Sequence, residues 1–94
     1  MRKMSGMSTT TIRATVRYFA AARAAAGTET EPVELPADGT VEHLLAAIRD
    51  RHGAELARVL ERCTFLLDEV AVRNRSTPLP DQATLDVLPP FAGG

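Results

Sequence analysis

The residues with the clearest chemical use stand together at the end of the chain, in Leu88-Pro89-Pro90-Phe91-Ala92-Gly93-Gly94. Gly93 and Gly94 have no side chains, so they can thread a channel too narrow for other residues and take any backbone angle an active site imposes. Pro89 and Pro90 hold φ at about −65° and favour polyproline II, so residues 89–94 are expected to form a flexible, extended tail. Six residues beyond Leu88 reach roughly 20 Å at about 3.3–3.6 Å each. The group the tail offers is its terminal carboxylate. With an ordinary pKa of about 3.3–3.7 it is an anion at neutral pH and a poor electrophile. To carry another group it must first be activated, for instance as an acyl-adenylate, which makes Gly94, with Gly93 beside it, the expected reactive centre. A second protein must supply that activation, because the sequence has no glycine-rich phosphate loop and no Walker lysine motif.

Other reactive types are sparse. The only cysteine, Cys63, excludes an internal disulfide and agrees with a reducing cytoplasm. No histidine is arranged beside it, and a free cysteine of this kind is expected to act as a buried hydrophobe. His43 and His52 lie outside any cysteine or carboxylate pattern at metal spacing, so no metal site is expected, and His43, next to Leu44, should face solvent. Arg13 and Arg17 share one side of an alternating segment. They are either solvated or meet acidic residues on a partner. Arg23 is expected to make a local hydrogen bond.

A chain of 94 residues supports one domain. A net charge of −1 gives no bulk attraction for nucleic acid or an anionic membrane, and no apolar run approaches the roughly 20 residues that span a bilayer. Met1-Arg2-Lys3-Met4 is basic, but no apolar segment follows it, so a secretory signal is not expected. Residues 1–10 are polar and aperiodic and read as a disordered leader, with Met4 and Met7 as further possible starts.

The elements that must position the tail follow from hydrophobic period. Thr11 to Phe19 alternates, with Ile12, Ala14, Val16 and Tyr18 on one side, which is a strand with one face on the core. Ala20 to Ala26 is a short helical turn that Gly27 can close in the left-handed region. Glu29 to Leu35 is a second strand, and Pro32 restricts it to an edge. Thr40 caps a helix through Val41, Leu44, Leu45 and Ile48, with Glu42 and Arg49 matching its dipole. Gly53 stops that helix, and Ala54 to Arg62 is a shorter one burying Leu56, Val59 and Leu60. Phe65–Leu67 and Val70–Val72 are short strands. Residues 74–82 form a long surface turn, and Thr84–Leu88 is the last strand. This order gives an α+β fold over residues 11–88, a mixed sheet of four to five strands grasping a crossing helix, with the first and last strands parallel neighbours. By strand parity Phe19 and Leu88 both fall on the face away from the helix, at the ends of neighbouring strands. There they either form an apolar patch at the root of the tail or are tucked inward by the twist of the strand ends. Their apolar patch is the expected grip for a partner, together with Pro89, Pro90, Phe91 and Ala92.

Val16-Arg17-Tyr18-Phe19-Ala20-Ala21-Ala22-Arg23, Thr40-Val41-Glu42 and the closing Leu88-Pro89-Pro90-Phe91-Ala92-Gly93-Gly94 resemble the MoaD/ThiS group of ubiquitin-like sulfur carriers, on the side of the molybdopterin synthase small subunit. The resemblance runs from about Thr11 to Gly94 and is most specific in the tail. It implies a β-grasp fold and a non-catalytic carrier with no stably bound cofactor. It further implies that an E1-like adenylyltransferase/sulfurtransferase spends ATP to adenylate Gly94, and that a Gly94 thiocarboxylate then delivers sulfur to a pterin precursor inside the large synthase subunit. Carriers for thiamine or cysteine biosynthesis, a ubiquitin-like protein modifier and a plain interaction domain are the alternatives. The sequence departs from the group's pattern at Leu67-Asp68-Glu69-Val70, where an Asn-Gly turn is usual, and at Gln82, where a glycine is common.

Overall fold

The computed structural model of the chain describes residues 11–90, so the leader at residues 1–10 and the tail positions Phe91, Ala92, Gly93 and Gly94 lie outside the described residues. Eight elements follow one another: β1 (Thr11–Tyr18), α1 (Ala20–Ala26), β2 (Thr30–Pro36), α2 (Val41–His52), α3 (Ala54–Leu60), β3 (Thr64–Leu67), β4 (Val70–Ala71) and β5 (Ala83–Leu88). The strands form one mixed sheet in the order β2-β1-β5-β3-β4. β5 lies in its middle, parallel to β1 on one side, with Ala14 opposite Ala83 and Tyr18 opposite Val87, and antiparallel to β3 on the other. This is the β-grasp arrangement the element order predicts.

Alternation decides which face is covered. Ala14, Val16 and Tyr18 of β1, Val33 and Leu35 of β2, and Leu85 and Val87 of β5 are buried, and they pack on Val41, Leu44, Leu45 and Ile48 of α2 and Leu56 and Leu60 of α3. Pro32 sits on the edge strand as its missing N–H requires. α2 begins at a capping box in which the Thr40 hydroxyl accepts from the His43 N–H and the His43 ring accepts from the Thr40 N–H. Gly27, at φ 78°, closes α1 in the left-handed region.

Three local expectations are corrected. β1 ends at Tyr18, and Phe19 is the N-cap of α1 rather than a strand residue. α3 ends at Leu60, because the chain tightens there into turn bonds from the Arg62 N–H to Val59 and the Cys63 N–H to Leu60. Val59, expected to be buried, is only partly so. Residues 74–82 are a surface turn that is tied down. Leu79 is buried, its N–H bonds to the Gly39 carbonyl, and the N–H groups of Val41 and Glu42 bond to Thr77 and Arg75. Donors left open at the first turn of α2 are what this segment satisfies.

Candidate functional site

The end of β5 meets the start of α1. The Phe19 N–H donates to the Val87 carbonyl at 3.2 Å, and the Phe19 carbonyl accepts from Ala22 at 3.0 Å. Between them the chain reverses at Ala20, which adopts φ 52°. This junction opens a groove of about 820 Å³ lined by Phe19, Leu88, Pro89 and Pro90, together with Ala20, Ala21 and Arg23 of α1 and Arg62 and Thr64. Phe19 is 37% exposed there, a large apolar residue left open to solvent. Phe19, Leu88, Pro89 and Pro90 are thus brought to one place, while the remaining candidates, Phe91, Ala92, Gly93 and Gly94, fall outside the described residues.

Beside the groove the sheet's outer face carries an ion pair. Arg17 Nε and Nη2 donate to the two oxygens of Asp86 at 2.6 and 2.9 Å, and its guanidinium lies 5.8 Å from the centre of the Phe19 ring. The hydrogen bond and charge of Asp86 push the Arg17 pKa up. Arg17 is therefore engaged within its own chain, fixing Asp86, a carboxylate with only 6% of its surface exposed. Arg13 makes a longer, exposed contact of 3.8 Å with Glu34. Arg23 makes the local bond expected of it, to Glu29 at 2.7 Å.

The turns that set β5 in place use residues whose types disfavour them. Asp68 (φ 48°) and Glu69 (φ 74°) form the β3–β4 turn with both central residues in the left-handed region, the geometry for which Asn-Gly is the usual choice. Gln82 takes φ 66° just before β5. Two of the three positions have a compensating bond. The Asp68 N–H donates to the Thr84 carbonyl and its Oδ1 accepts from the Thr84 N–H, both at 2.9 Å, while the Gln82 N–H donates to the Arg13 carbonyl at 2.7 Å. The loop shapes survive the departures in sequence because β5, through Thr84, holds the first and β1, through Arg13, the second.

A polar cluster that sequence reasoning missed joins β1, β2 and the end of α2. The Tyr18 hydroxyl donates to Glu31 at 2.5 Å, His52 Nε2 contacts the same carboxylate at 2.6 Å, and Arg51 stands 3.4 Å from its other oxygen. Burial raises the Glu31 pKa, but the bonds from Tyr18 and His52, with the charges of His52 and Arg51, outweigh it and leave the carboxyl below its ordinary range. Burial, with the bond to Glu31, pushes the Tyr18 hydroxyl well above its ordinary range. Glu31 and His52 are 21 positions apart, so no local spacing signals the contact.

Cys63 donates its thiol to the Val59 carbonyl at 3.3 Å, and burial pushes its pKa up, which suppresses the thiolate. His43 serves the α2 cap. Among the described residues no group of three or more histidines, cysteines or carboxylates could hold a metal ion, and no helix is long and apolar enough to cross a membrane.

The ThiS family model matches residues 16–94, from the middle of β1 to the final glycine. The chain belongs to the ThiS family. No curated protein sequence matches it significantly. Among solved structures, molybdopterin converting factor subunit 1 from Pyrococcus furiosus is similar at 25% identity and a TM-score of 0.73, over 85% of this chain and 99% of that one. SAMP1 from Haloferax volcanii gives 25% and 0.79, over 87% and 99%. The complex of subunits 1 and 2 of the Helicobacter pylori molybdopterin-converting factor includes a chain at 24% and 0.68, over 88% and 100%, a likeness of fold alone. The ThiS-family chain thus has a ubiquitin-like sulfur-carrier fold, with the groove at the point where the family's C-terminal segment leaves the sheet.

Proposed function

We propose that the chain is the sulfur-carrying small subunit of a molybdopterin synthase. An E1-like enzyme adenylates Gly94 at the expense of ATP, sulfur transfer yields the Gly94 thiocarboxylate, and the tail then enters a large subunit and donates sulfur to a pterin precursor. The chain supplies no catalytic side chain. Gly94 and Gly93 are the reactive end, and Phe19, Leu88, Pro89, Pro90, Phe91 and Ala92 are the partner-binding residues. We place these steps in the cytoplasm.

The observation that carries this reading is the meeting of Phe19, Leu88, Pro89 and Pro90 in one apolar groove at the exit of β5. A central strand held on both sides delivers the tail, and exposed apolar surface at its root is what a partner that must grip the carrier needs. The two-subunit Helicobacter pylori complex supports a large-subunit partner.

Intact-mass measurement of the chain from its native host tests the proposal. A species heavier by the exchange of one oxygen for sulfur, mapped to Gly94, supports it. Deletion of Gly94 or a C-terminal tag should abolish sulfur transfer while the fold is kept, and full activity in the deletion would overturn the reading.

The likeness to SAMP1, which belongs with the small archaeal modifier proteins, favours a second reading in which Gly94 is joined to lysines of other proteins. A ladder of conjugates on an immunoblot of host extract separates it from the first. A carrier for thiamine or cysteine biosynthesis would form the thiocarboxylate but fail to convert the pterin precursor with a large synthase subunit.

A further inference from the structure

Of the chain's 11 lysines and arginines, Lys3 is the only lysine, so residues 11–90 hold no side-chain amine. This matters if Gly94 is an activated acyl group, and the inference rests on the activation proposed above. An acyl-adenylate or thioester is attacked by amines and thiolates. The cation most exposed to that risk is one beside Pro89 and Pro90, and two stand there: Arg23 and Arg62, which line the same groove. Phe91 to Gly94 add four residues, a contour length of roughly 14 Å at about 3.3–3.6 Å each, enough to bring these arginines within the terminus's range. Arg23 is paired with Glu29, whereas Arg62 is exposed and makes no ion pair among the described residues.

A guanidinium has a pKa above about 12 and stays protonated at neutral pH, so it attracts a carboxylate or phosphate without becoming a nucleophile. A lysine amine has a deprotonated fraction that attacks. The domain's one thiol is half-buried and hydrogen-bonded to the Val59 carbonyl. We infer that the folded domain is built to offer its own activated terminus no acyl acceptor, and that Arg62, with Arg23, holds a non-acylatable cation where a lysine would capture Gly94. Side-chain self-conjugation is then confined to Lys3. With lysine at position 62, the ε-amine would attack the Gly94 carbonyl carbon. A C–N bond forms, the bond to the leaving thiol or AMP breaks, the amine proton passes to solvent, and the carrier is closed as a dead internal amide.

The test needs no activating enzyme. The full chain is prepared with Gly94 as an aryl thioester by thiol cleavage of an intein fusion, and its lifetime at mildly alkaline pH is followed by intact mass and peptide mapping. The wild type should lose the thioester by hydrolysis, with any amide mapping to Lys3 or the α-amino group. Arg62→Lys should lose it several-fold faster and accumulate the internal amide at position 62, because a short flexible tether supplies an effective concentration of about millimolar. Arg62→Ala should match the wild-type lifetime. An Arg62→Lys thioester as long-lived as the wild type, or a wild-type adduct within residues 11–90, would overturn the inference. Absence of a thiocarboxylate in the native host would instead count against the carrier reading, and the two failures are read from different samples.

Discussion

Tyr18→Phe removes a single oxygen from the cluster around Glu31 and leaves the ring in place. The ring is buried, with 2% of Tyr18 exposed, and it meets His52 edge-on at 5.8 Å, so packing is preserved. What is lost is one hydrogen bond to a carboxylate whose side chain is 12% exposed. Bonds to charged groups contribute about 1.5–3 kcal/mol when desolvated. Glu31 keeps His52 and Arg51 and some access to water, so the expected loss is about 1–2 kcal/mol. At about 4–8 °C per kcal/mol for a domain of this size, the melting temperature should fall by roughly 4–16 °C. Urea unfolding at neutral pH with an unchanged slope measures it. The pH dependence gives a second check. The carboxyl pKa is depressed in the fold, so its stabilisation is present above its unfolded value of about 4.3–4.5 and is lost as pH falls through the lower folded value. The gap between wild type and Tyr18→Phe should therefore narrow below that window. A variant as stable as the wild type at neutral pH, or a gap that widens on acidification, would refute the reasoning.

Other outcomes follow from single features. Glu69→Gly removes a side chain from φ 74° and should stabilise the domain by about 1 kcal/mol, read as a shift in the urea midpoint. Thr40→Ala deletes the capping acceptor of α2 and should cost about 1 kcal/mol, with the helix still present by circular dichroism. Phe19→Ala should weaken binding to a large synthase subunit by about tenfold, near 1.4 kcal/mol, measured by calorimetry, while the fold is kept.

Elements with a strong period were legible in the sequence. Ala14, Val16 and Tyr18 announced β1 and its buried side, Thr40 and Gly53 bracketed α2, and Pro32 put β2 on an edge. The parallel pairing of β1 with β5 followed from element order, and that pairing is what places Phe19 near Leu88. Contacts between distant residues were not legible. Arg17 read as either solvated or meeting acidic residues on a partner, and only the register that sets it opposite Asp86 makes the two a pair. Glu31 and His52 gave no signal, because an edge-strand carboxylate and a last-turn histidine are each ordinary alone. The turn at Asp68-Glu69 departed from the residue types its geometry favours, and what holds it, the paired bonds to Thr84, comes from a strand 16 positions away.

The central place of β5 bears on how the carrier withstands traction. A partner that draws the final residues into a narrow passage pulls along the axis of β5. The ladder to β1 runs from Ala14–Ala83 to Tyr18–Val87, and the ladder to β3 from Thr64–Leu88 to Leu67–Leu85. Both lie across that axis, so the load is shared in shear by two ladders of bonds, whereas an edge strand pulled the same way would have one. Resistance to such a tug is set by the unfolding barrier rather than by equilibrium stability. The sheet order therefore makes the domain a mechanical stop, able to keep its shape under the pull that the proposed function would apply to its last residues.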